Sequence, residues 1–212
     1  MMKKLPMITL VIIIIELIIG VICRTTFTNY NDLKYYNVAL IEEEFLQDIQ
    51  ENLDEQYEKS KYIVKVKCIS DVTFSFLRTY QLVEIEKVFK GSELTKGEQI
   101  NVSTYSSRIY FDDMSVNMGF VNAMNKGEEY LVFLSEVKKS EEYATQIYLT
   151  PETIVTPIFA YDNHQNAIVP AKYEDYLIVN YTDVENNEFF ATSEEGVSIL
   201  NDVKQRLIRK YN

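Results

Sequence analysis

Between Leu5 and Cys23 the chain runs nineteen residues with only Thr9 and Glu16 as polar side chains. At 1.5 Å per residue a helix of this length reaches about 28 Å, close to the hydrocarbon thickness of a bilayer. Glu16 opposes insertion, because a carboxyl at mid-membrane costs about 3 kcal/mol on insertion scales. Eight Ile, three Leu and two Val in the same stretch each return about 0.3–0.6 kcal/mol, roughly 6 in sum. The apolar side chains win, and the expectation is a transmembrane helix with the bilayer as partner of residues 5–23 and Glu16 protonated within it. A tolerated, protonated Glu16 is favoured over an acid that pairs with a partner helix.

A signal peptidase needs small residues at −3 and −1, and Val21-Ile22-Cys23 supplies them poorly. An uncleaved signal-anchor is therefore favoured over a cleaved signal or a lipidated Cys23, since Ile22 is bulky where lipidation needs a small residue. Lys3 and Lys4 precede the run, while Arg24 and Lys34 follow it and are succeeded by acids. The positive-inside rule then predicts a single-pass protein of the cell membrane, with the N-terminus cytoplasmic and the remainder outside. The expected division is an anchor at 1–24, a polar and aromatic linker at 25–37 and an extracytoplasmic β-rich domain at 38–212.

Net charge is −11 overall; setting aside Lys3, Lys4, Arg24 and Glu16 leaves 18 basic and 31 acidic residues, or −13, for the rest. Such a surface repels phosphate backbones and excludes nucleic acid as a partner. It is also repelled by anionic headgroups, so the domain is expected to stand off the membrane. Ordinary solubility accounts for the acidity. With 47% hydrophobic residues the chain is a globular one, and 16 Tyr and 11 Phe with no Trp tilt it towards strands.

Val38, Ile41, Phe45, Ile49, Leu53 and Tyr57 step by threes and fours, which predicts an amphipathic helix over 38–57. Its acids, Glu42 to Glu44 and Asp48 among them, lack the alternation of a calcium loop and read as a solvated face. From Lys61 the period becomes two, with Tyr62, Val64, Val66 and Cys68 on one face. Further strands are expected at 80–89, 99–104, 129–134, 143–149, 154–161, 167–169 and 176–181. The run Tyr130 to Leu134 is apolar on both faces, as in a central strand covered twice. Thr192-Ser193-Glu194-Glu195 reads as a capping box opening a helix to about Tyr211, with Val197, Leu200, Val203, Leu207 and Tyr211 as its stripe. Lys204, Arg206, Arg209 and Lys210 complement its dipole. Strands follow strands without helices between them, so the class is α+β, with a mostly antiparallel sheet curling into a β-barrel between an amphipathic helix and a C-terminal helix.

The stretches YQLVEIEKVFKG at Tyr80–Gly91, GEQINV, and GEEYLVFL at Gly127–Leu134 resemble a pattern of bacterial exported domains. Those domains are similar to the TIMP/netrin-like modules, whose five-stranded barrel is of OB type. The resemblance covers about residues 61–135 and implies an OB-like barrel used for binding. Metalloproteinase inhibition is not implied, because Cys23 and Cys68 stand in the wrong places for a free N-terminal cysteine.

No catalytic, cofactor-binding or metal-ligating constellation is readable. His164 is the only histidine and lies in the polar run Asp162 to Asn166, where an exposed turn is expected. There is no GxSxG, HExxH or phosphate-cradling loop. Asp112-Asp113 and Glu128-Glu129 are carboxylate pairs of a kind expected by chance among 32 acids. Asn101-Val102-Ser103 and Asn180-Tyr181-Thr182 match the glycosylation sequon. The expected role is an interaction or structural module with a protein partner outside the membrane and no cofactor. A cell-envelope hydrolase using a carboxylate pair, and a membrane sensor or immunity protein, are the alternatives.

Overall fold

The computed structural model describes residues 4–26, 32–39, 46–47, 50–75, 78–104, 109–110, 115–138, 146–169 and 178–212. It divides into two compact units, Met1–Asn31 and Asp32–Asn212, each taken by itself below.

The first unit holds helix α1, Lys4–Thr26. Pro6 falls in its first turn, where no backbone donor is needed, and the branched run beyond has a single weak point at Gly20. Its large apolar side chains are about half exposed, from 47% at Ile13 to 64% at Leu17. Among the described residues no helix is long and apolar enough to cross a membrane. The expected transmembrane span over 5–23 is corrected on this finding. With it go the signal-anchor and the single-pass placement, N-terminus cytoplasmic and domain outside.

The second unit is built on an open sheet. Its strands are β2 (Tyr62–Cys68), β4 (Arg78–Lys90), β5 (Gln99–Ser103), β8 (Glu129–Leu134), β9 (Glu136–Lys138), β10 (Ile147–Leu149) and β11 (Ile158–Ala160). They lie in the order β11-β8-β2-β4-β5-β10-β9, with β3 (Thr73–Ser75) on β4. All pairs are antiparallel except β5 with β10. Gly91 and Gly127, at φ 102° and 94°, make the expected reversals after β4 and before β8, because only glycine enters that region without a Cβ clash.

Among the described residues no closed barrel forms: β11 and β9 end the row without pairing with each other. The expected OB-like β-barrel is therefore corrected to an open, mostly antiparallel sheet. The physical reason is that each face of the sheet finds its own cover. Ile63, Leu131, Phe133 and Phe159 pack with Leu200, Val203 and Leu207 on one side. Tyr62, Val64, Val66, Val83, Val132 and Tyr148 form a second core on the other. Strand β8 sits between β2 and β11 and sends residues into both cores, as its doubly apolar sequence predicts.

A smaller sheet runs β13-β1-β7-β6, where β1 is Asn37–Ala39, β6 Ile109–Tyr110, β7 Ser115–Asn117 and β13 Ile178–Asn180. Strand β1 pairs antiparallel with β13 and parallel with β7. Val38 thus lies in a strand, not at the head of the amphipathic helix expected over 38–57. Two neighbours satisfying both backbone edges outweigh helix periodicity here. Of that helix, Leu46 and Gln47 are helical and α2 spans Leu53–Glu58; 40–45 and 48–49 lie outside the described residues. Of the expected stripe Leu53 and Tyr57 are fully buried, as is Leu46, which stands outside it, while Ile41, Phe45 and Ile49 lie outside the described residues.

Strands β12 (Gln165–Ile168) and β14 (Asn187–Ala191) pair in parallel, and helix α3, Glu194–Lys210, follows. Its cap is Ser193, whose Oγ accepts from Gly196 N at 3.0 Å, one residue later than the expected Thr192–Glu195 box. The basic residues of α3 are engaged in structure. Arg206 grips both Asp54 oxygens at 2.8 and 3.1 Å, and Lys210 pairs with Glu58, tying α3 to α2.

Lys204 is the exception in depth. Its Nζ lies 2.6 Å from Glu188 Oε2 and 2.7 Å from Asp162 O, with both side chains almost wholly buried at 3% and 6%. Glu188 Oε1 accepts from Ala160 N at 2.9 Å. Burial pushes the Glu188 carboxyl above its ordinary range, while Lys204 holds it down. Removing one partner strands a buried charge, so Glu188→Ala is expected to destabilise the chain by about 3–5 kcal/mol in urea unfolding. A loss below about 1 kcal/mol would mean that Lys204 escapes to water.

Candidate functional site

The segment from β7 to Asn125 bends through a conformation that side chains rarely adopt. Gly119 and Phe120 have φ 58° and 64°, two successive left-handed residues, the second with a full aromatic side chain. Such a residue costs on the order of 1–3 kcal/mol and persists only where its surroundings hold it. Thr156 does much of the holding: its Oγ1 donates to Met118 O at 2.9 Å and its N to Gly119 O at 3.0 Å. Asn117 Oδ1 accepts from Gly119 N at 2.9 Å, and Phe190 N donates to Phe120 O at 3.1 Å. The Phe120 ring is buried in the core beside Phe159 and Phe189.

Two side-chain amides then clamp the chain as a strand would. Asn122 Nδ2 donates to the carbonyls of Val184, Glu185 and Asn187 at 2.9–3.1 Å. Its Oδ1 accepts from Ala123 N and from the Tyr181 hydroxyl. Gln81 brackets Met124, with Oε1 accepting from Met124 N at 2.9 Å and Nε2 donating to Met124 O at 2.7 Å.

Two hollows adjoin this clamped segment and share Val121, Asn122, Ala123 and Ile158 as lining. The first has a cavity volume of about 30 Å³ and a mostly apolar lining: Leu33, Val72, Val102, Val116, Met118 and Met124 stand around it. Gln81 and Asn122, also in its lining, have their amides spent on the backbone. The second, about 20 Å³, is polar, with His164, Tyr130, Glu188 and asparagines in its lining.

His164 is not the exposed turn residue that the sequence suggests. Its side chain is 20% exposed, and Nε2 lies 3.1 Å from Glu128 Oε2. The contact is not aligned as a hydrogen bond, and the buried nitrogen has no hydrogen-bond partner among the described residues. Glu128 Oε2 also accepts from the Tyr130 hydroxyl at 2.9 Å, and burial carries that hydroxyl well above its ordinary range. The pair Glu128-Glu129 does not act together: Glu129 turns to Lys65. Asp112-Asp113 lies outside the described residues. Among the described residues no cluster of three His, Cys, Asp or Glu could hold a metal. Asn101 is 6% exposed within β5, whereas Asn180 is exposed at the end of β13. No family model matches the chain, and neither does any curated protein.

Sequence reasoning missed both hollows because their linings come from segments far apart in the chain. The one local signal was Gly119 beside an aromatic. Its Cβ would stand 2.6 Å from Thr156 Oγ1 and 2.9 Å from Ile154 O. Gly119→Ala is therefore expected to destabilise the chain by more than about 1 kcal/mol, where an unstrained exchange would stabilise it slightly. An unchanged midpoint would show that Thr156 can yield.

Cys68 lies fully buried beside Gln81 Nε2 at 3.4 Å. Burial pushes its thiol from 9.0 up to about 11, while a hydrogen bond with the Ser70 backbone opposes the shift. The folded chain keeps this proton where the unfolded chain has released it. The stability from burying a neutral thiol is thus complete below pH 9 and is lost as pH rises towards about 11. Urea midpoints taken at neutral pH and near pH 10 should converge more for Cys68→Ala than for the parent. Tyr161 and Tyr181, each pushed up to about 12 by burial, drain stability the same way in both proteins.

Proposed function

We propose that residues 32–212 form a binding module whose first hollow receives the apolar anchor of a basic protein partner. The observation that carries the reading is the hollow itself: an apolar lining beside a braced, strained segment, with its two amides spent on the backbone. A ligand group placed there gains by burial alone. Met118 and Met124 supply flexible, polarisable contacts that adapt to an irregular shape.

Charge supports the basic partner. The residues beyond Arg24 carry a net −13, which speeds the approach of cations and discourages nucleic acid. The likeness of residues 61–135 to exported TIMP/netrin-like domains points the same way, resting on the strand motif and not on a barrel.

The neutral dye N-phenyl-1-naphthylamine tests the hollow directly. Saturable, one-to-one fluorescence enhancement is expected with the parent, lost in Val72→Trp, which fills the hollow from its lining. Ala123→Leu, a smaller intrusion, should weaken it. A peptide of alternating lysine and leucine should displace the dye at low salt and less well at high salt. No saturable enhancement in the parent, or binding untouched by both variants, overturns the reading.

A further inference from the structure

The buried pair of Lys204 and Glu188 brings an amine and a carboxyl into direct contact away from water. Nζ lies 2.6 Å from Oε2, and both side chains are almost wholly buried. Two backbone groups complete the surroundings. Asp162 O accepts from Nζ at 2.7 Å, and Ala160 N donates to Glu188 Oε1 at 2.9 Å.

These surroundings suit a neutral amide better than an ion pair. A secondary amide has one N–H to donate and one carbonyl to accept. With Nζ joined to the Glu188 Cδ, the N–H meets Asp162 O and the carbonyl Oε1 meets Ala160 N, both already in place. A buried amide satisfied at both ends carries little penalty. The ion pair, by contrast, has given up the hydration of two charges. Burial already pushes Glu188 towards its protonated form.

Contact also supplies the rate. Groups held in reacting geometry reach effective concentrations on the order of 10⁵–10⁸ M. The bulk water that reverses such a condensation in solution is excluded from this pair.

We propose that Lys204 and Glu188 join in an intramolecular isopeptide bond once the chain has folded. Nζ passes a proton to Oε2, which leaves a neutral amine beside a carboxylic acid. The nitrogen lone pair then attacks Cδ and forms the N–C bond, while Ala160 N steadies the charge that gathers on Oε1. A second proton moves from nitrogen to Oε2, the Cδ–Oε2 bond breaks, and one water leaves. The third proton stays on nitrogen as the amide N–H. No oxidant, reductant or cofactor takes part. Glu188 lines the polar hollow, whose volume of about 20 Å³ has room for a water beside it. The bond fastens β14 to α3 covalently and is independent of the apolar hollow's occupant.

Electrospray mass measurement on the intact, folded chain tests the proposal. The parent is expected to weigh one water less than its sequence mass. Trypsin should then fail to cut after Lys204, giving a fragment that contains both Glu188 and Lys204 and runs on to Arg206. Lys204→Arg, which keeps the charge but lacks the reactive amine, should show its full sequence mass. Glu188→Gln, which keeps the shape, should lose ammonia in place of water. Near-ultraviolet circular dichroism matching the parent's shows that each variant has folded. A parent at its full sequence mass overturns the proposal and leaves an ordinary ion pair, whatever the variants do. A water lost between other residues, or a loss that persists in Lys204→Arg, overturns it as well.

Discussion

Strand β8 has apolar side chains on both faces, and the 32–212 unit is organised by that fact. Leu131 and Phe133 face the core that α2 and α3 cover; Tyr130, Val132 and Leu134 face the core shared with β4, β5 and β10. A strand of this kind gains only when covered twice. The helices close one side, and Leu94, Met124 and Tyr148 help close the other. Because both faces are covered, curling the sheet shut would bury nothing further. An open sheet with two cores is the outcome, where strand succession alone suggested a barrel.

The Glu188–Lys204 pair couples the elements next to the hollows. Glu188 belongs to β14, Lys204 to α3, and the carbonyl of Asp162 and the amide of Ala160 complete the node. A buried ion pair adds little net stability compared with an apolar pair of similar shape. Its effect here is positional: one lysine fixes the turn that carries His164 and the strand that lines the polar hollow. The left-handed Gly119–Phe120 step has a comparable role on the facing segment. Thr156, Asn117 and Phe190 hold it, and the clamped chain that follows lines both hollows.

Local patterns were legible where one element decides them. The alternation of Tyr62 to Cys68, the doubly apolar Tyr130 to Leu134, the glycine turns at 91 and 127 and the stripe of the last helix each depend on a period or a turn residue within a few positions. Failures came where a distant partner overrides the pattern. Val38 joins a strand because β7 and β13 lie on either side of it. The cap falls on Ser193 because that hydroxyl, and not Thr192, meets Gly196 N. His164 looked like a loop residue until Glu128, remote in sequence, proved to lie beside it.

The sequence by itself determined which segments are apolar, the faces they present, the acidity of the chain and the absence of any familiar catalytic motif, since composition and short-range period carry that information. It also determined that the run from Leu5 to Cys23 is helical, though not that a membrane holds it. Only the tertiary structure decided that the sheet stays open, that the basic helix end is spent on Asp54, Glu58 and Glu188, and that two hollows of opposite character share one wall. These follow from contacts between residues dozens of positions apart. Register, packing and charge pairing choose such contacts together, and no local period records the choice.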